Sequence, residues 1–172
     1  MEYRGATADD IGPIASLHAD SWRRNYRGSF SDAFLDGDVL ADRLAEWSER
    51  LTAPHPDHHT VVAVDGEAVV GLVHTVLWHD PAWGALLDNL HVAHGRQRSG
   101  VGTGLMARSA AAVLARRPVT GLYLWVLEAN TAAQAFYAAR GGTCEGSEWS
   151  EAPGGGAVVG LRYVWRDPTA LL

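Results

Sequence analysis

The chain has a single cysteine, Cys144, so no disulfide can close within it, and a reducing compartment, the cytoplasm, is the expected location. No uninterrupted apolar run reaches the length of a membrane span, and the opening residues, MEYRGATADD, carry no apolar signal core. With 14 basic against 20 acidic residues the formal charge is −6, which argues against general binding to nucleic acid or an anionic membrane. No repeat or second-domain boundary interrupts the 172 residues, and a hydrophobic content of 47% suffices for a sizeable core. Residues 1–172 therefore read as one domain.

One absence is local. Between Asn89 and Leu127 there is neither Asp nor Glu, although Arg96, Arg98, Arg108, Arg116 and Arg117 all fall there. A solvated basic helix face would account for the arginines, but less easily for the missing carboxylates. The stretch begins as a buried strand, with Leu86, Leu87, Leu90 and Val92, and passes through a short basic loop into Gly100, Gly102 and Gly104. Strong helix formers, MARSAAAVLARR, follow. Glycine lets a ligand approach the backbone, and the free N–H groups of a helix's first turn favour an anion. Arg96 and Arg98 add positive charge at the same point. The expected use is a pyrophosphate cradle, its amides supplied by Arg98, Ser99, Gly100, Val101, Gly102 and Thr103, with Gln97 and Gly104 at its ends.

Two better-known phosphate motifs fail here. A Walker A loop needs Lys and then Ser or Thr after its second Gly, but Gly100 is followed by Val101 and Gly102. The dinucleotide fingerprint needs a sixth-position glycine, which counting from Gly100 is Leu105.

Around this stretch the chain reads as alternating elements. Glu2 to Arg4 suits a short strand, and Thr7 with Asp10 resembles a capping box. Ile11, Ile14, Ala15, His18 and Trp22 share a helical face that Gly28 would close. One turn fits Asp32 to Leu35. Asp38 would cap a helix carrying Leu40, Leu44, Trp47 and Leu51. These helices are expected to form a flap over one end of the sheet. Residues 53–59 form a loop whose His55, Asp57, His58 and His59 suit an exposed His-rich segment; no second ligand cluster accompanies them, so no metal is expected, though the loop's metal binding stays open. Strands 60–64 and 68–77 meet at the Asp65-Gly66 turn, and His74 in the second reads as a core or edge histidine. Arg117-Pro118 ends the glycine-led helix, and the apolar run 121–127 suits a central strand. Asn130 caps a helix that Gly141 closes, and strands near 143–149 and 157–165 finish the chain. The order is that of a mixed α/β domain.

Two motifs carry a resemblance. Q-x-x-G-x-G at Gln97, Gly100 and Gly102 follows the L-x-V of Leu90, His91 and Val92, and N-x-x-A-x-x-F-Y-x-x-x-G runs through Asn130, Ala133, Phe136, Tyr137 and Gly141. Together they are similar to the acetyl-CoA-binding blocks of the GCN5-related N-acetyltransferases, over roughly Asp88 to Gly142. The resemblance implies a mixed, mostly antiparallel sheet of six or seven strands flanked by helices, with a splay between the fourth and fifth strands. It implies acetyl-CoA as cosubstrate, its pantetheine arm held along Leu90, His91 and Val92 and by Asn130, Ala133 and Phe136. W-x-x-x-Y at Trp22 and Tyr26 is similar to the acceptor-side helices of some members.

Acetyl transfer needs a proton acceptor for the amine, a donor for the developing oxyanion and a proton for the leaving thiolate. Tyr137 matches the family's tyrosine for the last role. Asp88 lies four residues before Val92, on the same strand face if alternation holds. It reads either as the base or as a solvated strand start. His91 would point away and be structural, and Glu128 is a lesser candidate. Where several members carry Glu, this chain has Trp125. His94 replaces a frequent Pro, and Gly142 stands where a Phe core anchor is frequent. The acceptor expected is a small-molecule amine, met by Trp22, Tyr26, Asp88 and Trp125, with Trp78, Trp83 and Trp149 as further aromatic walls. A protein N-terminus or lysine is the rival acceptor, and a non-catalytic acyl-CoA-binding module the rival class. A homodimer stays open.

Overall fold

The structure is a computed structural model that describes residues 1–116 and 120–172. Its strands are β1 (Glu2–Gly5), β2 (His58–Asp65), β3 (Ala68–Asp80), β4 (Gly84–Val92), β5 (Leu122–Leu127), β6 (Thr143–Glu151) and β7 (Ala157–Trp165). The helices are α1 (Ile11–Asn25), α2 (Asp32–Asp36), α3 (Val39–Thr52), α4 (Val101–Ala115) and α5 (Thr131–Ala138). The expected helix stop at Arg117-Pro118 lies outside the described residues.

One seven-stranded sheet runs β1-β2-β3-β4-β5-β7-β6. Every neighbouring pair is antiparallel except β4 and β5. That parallel pair is short: only Ala85 with Leu122 and Leu86 with Tyr123 are in register. Beyond them the two strands part, so the expected splay lies between the fourth and fifth strands.

Two cores sandwich the sheet. On one face Leu105, Met106, Ala110 and Val113 of α4 pack on Val73, Leu87 and Leu124, with Tyr137 of α5 and Trp165. On the other, Ile14, Ala15 and Leu17 of α1 and Trp47 of α3 bury Val62, Val64 and Leu72. α1 and α3 thus cover a face of the sheet instead of lying as a flap over its end, because their apolar stripes need the wide surface of β2 and β3 to leave water. Leu44, read as part of the α3 stripe, is 37% exposed. The Thr7–Asp10 capping box is present, and Arg4 also grips Asp10 through both carboxylate oxygens, at 2.7 and 2.8 Å. Asp38 precedes α3 but makes no capping hydrogen bond, since its backbone is already helical there (φ −82°, ψ −6°).

Gly142 shows why an absent core anchor does no harm. Trp165 of β7 fills the space: a Cβ on Gly142 would lie 2.6 Å from its ring, and its Nε1 donates to the Arg140 carbonyl at 2.8 Å.

Candidate active site

Where β4 and β5 part, a cavity of about 880 Å³ opens. One part of its wall is formed by Leu90, Val92, Gln97, Arg98, Gly102, Asn130, Ala133, Phe136 and Tyr137; Ser21, Trp22, Tyr26, Asp88, His91, Trp125 and Glu148 line the rest. The two sequence motifs, separated in the chain by the stretch from Gly102 to Asn130, therefore meet in one space.

The loop before α4 is built to expose peptide N–H groups. Arg98 and Gly100 both take left-handed backbone angles, φ 59° and 87°. Successive amides in such a turn converge into an anion-binding concavity. Among the described residues, no backbone N–H from Arg98 through Thr103 has an acceptor within the chain; the first α4 bond is Gly104 N–H to the Gly100 carbonyl at 2.9 Å. That bond removes Gly104 from the expected ligand-binding set, because its amide is already spent. Its lack of a side chain answers to Tyr3 of β1, whose hydroxyl an added Cβ would overlap. At Gly102 an added Cβ would come within 3.1 Å of the Phe136 ring. Only Gly100 is demanded by its own backbone angle.

The charges divide differently from the expectation. Arg96 is ion-paired with Asp65 in the β2–β3 turn, so its charge is committed there. Arg98 lines the cavity. A cation not anticipated, Arg140 after α5, lies over the Phe136 ring at 3.6 Å and bonds the Thr103 hydroxyl in the first turn of α4. Its only sequence signal was a basic residue just before Gly141; its partner was out of reach of pattern reading. Asn130 accepts from Ala133 N–H at 3.2 Å, capping α5 as expected.

Strand alternation fails at Asp88. His74 pairs with Asn89 and Thr75 with Leu87, so β4 bulges at Asp88. Val92 packs towards α4, whereas Asp88 turns to α3, where its Oδ2 accepts from Arg50 at 2.7 Å and from Asn89 at 2.6 Å. Asp88 and Val92 are therefore on opposite faces, and Asp88 Oδ1 has no partner among the described residues. His91, expected to point away from the site, lines the cavity beside Asp88, with Nδ1 2.9 Å from Ser21 Oγ. Burial lowers its pKa to about 4, helped by Arg43, so the imidazole is neutral at pH 7.

Two phenols enter the cavity, Tyr26 and Tyr137, and neither hydroxyl has a hydrogen-bond partner among the described residues. Burial pushes Tyr26 up to about 12. Burial, with a smaller contribution from Tyr26, pushes Tyr137 well above the ordinary phenol range. Trp22 and Trp125 join the walls, as expected, but Trp78, Trp83 and Trp149 do not; Trp149 is 72% exposed on β6. Glu128 lies at a separate small pocket with Trp149. No group of three or more His, Cys, Asp or Glu among the described residues is arranged to hold a metal ion, and no described helix is long and apolar enough to cross a membrane.

Residues 16–141 match the acetyltransferase (GNAT) family. The chain is 27% identical over 131 residues to the uncharacterized N-acetyltransferase YuaI of Bacillus subtilis, covering 76% of this chain and 73% of that one. Its fold is similar to the PaiA N-acetyltransferase of Thermoplasma acidophilum, solved in complex with coenzyme A, at TM-score 0.68 and 15% identity over 95% and 98% of the two chains. It is also similar to the ribosomal-protein-alanine N-acetyltransferase of Brucella melitensis, at TM-score 0.71 and 18% identity over 96% and 99%.

Proposed function

The chain belongs to the acetyltransferase (GNAT) family, and we propose that it moves acetyl from acetyl-CoA directly to a small-molecule primary amine, both bound at once, within a single domain spanning residues 1–172. As a family member it is an acetyl-CoA-dependent N-acetyltransferase. The observation that carries the reading is the row of unpartnered amides from Arg98 to Thr103 at the mouth of the β4–β5 split. The chemistry of those donors fits a diphosphate, and the free edges of β4 and β5 fit the amides of a pantetheine arm.

Each residue then has a task in the proposal. The Arg98–Thr103 amides and the Arg98 side chain hold the diphosphate. The β4 edge from Leu90 to Val92, with Asn130, Ala133 and Phe136, holds the arm. Asp88 Oδ1 receives the proton of the incoming ammonium, the carboxylate being aimed by Arg50 through its other oxygen. Tyr137, kept protonated by burial, gives its proton to the leaving thiolate. The coenzyme itself supplies the activated thioester.

The test is turnover. The enzyme with acetyl-CoA and a broad amine panel should release free thiol. If no amine is acetylated while coenzyme A still raises the melting temperature, a non-catalytic acyl-CoA-binding module replaces this reading. A protein N-terminus is the second reading for the acceptor. It is favoured by β6, an edge strand exposed at nearly every residue beside the cavity, which an extended chain could pair with.

A further inference from the structure

Resting on the acetyltransferase reading, the shape of the acceptor chamber narrows the class of amine. The chamber's sheet side is a flat plate. Trp125 on β5 is in register with Arg162 on β7, and Gly160, two residues earlier on β7, is the register partner of Glu148 on β6. Trp125, Gly160 and Glu148 therefore share one face. Gly160 leaves room for the indole: an added Cβ there would lie 3.3 Å from Trp125 Cε3. The ring is 36% exposed, with Arg162 5.0 Å from its centroid. On the helix side Trp22, Tyr26 and Phe30 form a cluster, with Phe30 5.0 Å from Trp22 and 4.9 Å from Tyr26, centroid to centroid. Both sides of the chamber are aromatic.

Its charges are few and unequal. Asp88 is neutralised by Arg50 at 2.7 Å. Glu148 has no cation within ion-pairing distance among the described residues, yet it lines the cavity. Because β7 lies between β5 and β6, Glu148 stands two strand spacings from β5, roughly 10 Å. It is too far from the β4–β5 split to serve the amine that reacts there. A carboxylate without a paired cation favours one by charge, whereas Arg162 already lies over the Trp125 ring, so the rest of the indole suits an apolar segment.

We propose that the acceptor is a two-ended amine: one primary amine reacts at the β4–β5 split, an apolar segment crosses Trp125, and a second cationic group about two strand spacings away is held by Glu148. A compact diamine cannot reach both points, and a monoamine leaves Glu148 unpaired.

The experiment measures kcat/KM with acetyl-CoA for diaminoheptane, heptylamine and diaminopropane, and calorimetric binding of the same amines to the enzyme saturated with coenzyme A. Diaminoheptane is expected to exceed both others by tenfold or more in each readout. In Glu148→Gln the ratio of diaminoheptane to heptylamine should fall towards one, while Trp125→Ala should weaken both. A ratio near one in the wild type, or an unchanged ratio in Glu148→Gln, overturns the two-ended acceptor while leaving the transferase intact. Better turnover of a peptide by its free N-terminus also overturns it, in favour of a protein acceptor. Failure of every amine and peptide, with coenzyme A still binding, would instead remove the transferase reading on which it rests.

Discussion

Arg140 donates to the Thr103 hydroxyl from Nε at 2.9 Å and from Nη2 at 2.5 Å, tying the end of α5 to the first turn of α4. No carboxylate among the described residues pairs with this arginine, and burial disfavours its charged form. If the proposed diphosphate site is at these open amides, a cation left short of anions beside them would meet the phosphate. Arg140→Gln should raise the Kd of coenzyme A about tenfold, the size of one charge-assisted hydrogen bond. The affinity should also become less sensitive to salt than in the wild type. Calorimetry at two ionic strengths measures both, and unchanged affinity would remove Arg140 from the site.

Tyr137→Phe should lower kcat by about a hundredfold, within the usual range for loss of a general acid, while the KM for acetyl-CoA stays close to wild type. The sign of its pKa shift sets the pH profile. Because burial raises the phenol, it remains protonated beyond its ordinary value of 10.0, so kcat should rise with deprotonation of the amine and not decline before about pH 10. A decline near neutral pH in the wild type, absent in Tyr137→Phe, would contradict the assignment.

The contrast between Gly100 and Asp88 explains how far the sequence could be read. The strand, the turn with left-handed angles and the helix start were legible because they are local, all within twenty residues. The capping role of Asn130 was legible for the same reason. The face of Asp88 was not, because a bulge in β4 shifts every side chain before it, and alternation cannot see a bulge. The ion pair of Arg96 with Asp65 is not legible locally, because Asp65 lies on a different hairpin. Likewise nothing local shows that Gly104 answers to Tyr3, about a hundred residues away, whose ring occupies the space of a side chain there. Long-range pairing was the missing information in each case.

Acid should destabilise the fold before its carboxylates titrate. Burial holds His91 at about 4 and His74 at about 3, against an ordinary 6.5. Around His91, Arg43 depresses the value further and Asp88 opposes it, and the His18 ring lies 4.1 Å away at a tilt of 33°. Both imidazoles are neutral in the fold but bind protons in the unfolded chain below 6.5, so their contribution is complete above that pH and lost as pH falls towards 4 and then 3. Between pH 7.5 and 4.5 the unfolding free energy should drop by roughly 2–3 kcal/mol per histidine. Urea titrations would show it, with a flatter profile for His91→Asn. A profile equally steep in that variant would contradict the assignment.

The 14 basic residues are all arginine, and the chain contains no lysine. Cys144 is exposed at the start of β6 and does not line the cavity. Direct transfer then predicts that labelled acetyl-CoA alone leaves no acetyl group on the protein except at the chain's N-terminal amine. Intact mass after incubation, with and without hydroxylamine, is the measurement. A hydroxylamine-labile acetyl group would indicate a covalent route in place of the ternary complex.

The two glycines that open α4 should fail in different ways. Gly100 has open space around it but a φ of 87°, so Gly100→Ala strains the backbone by about 1–2 kcal/mol, which the loop can relieve by turning its amides away. Coenzyme A affinity should fall about tenfold or more, with a modest change in melting temperature. Gly104 is helical and its amide is already bonded, so Gly104→Ala acts through the Tyr3 ring, which must leave its place under Arg108, 3.7 Å from the ring centroid. The expected cost is about 1–3 kcal/mol of stability, as for other overpacked contacts. The loss would be read in the unfolding midpoint instead of in the Kd of the folded enzyme. Should Gly104→Ala weaken coenzyme binding as much as Gly100→Ala at matched folded fraction, the cradle extends further into the helix than its free amides suggest.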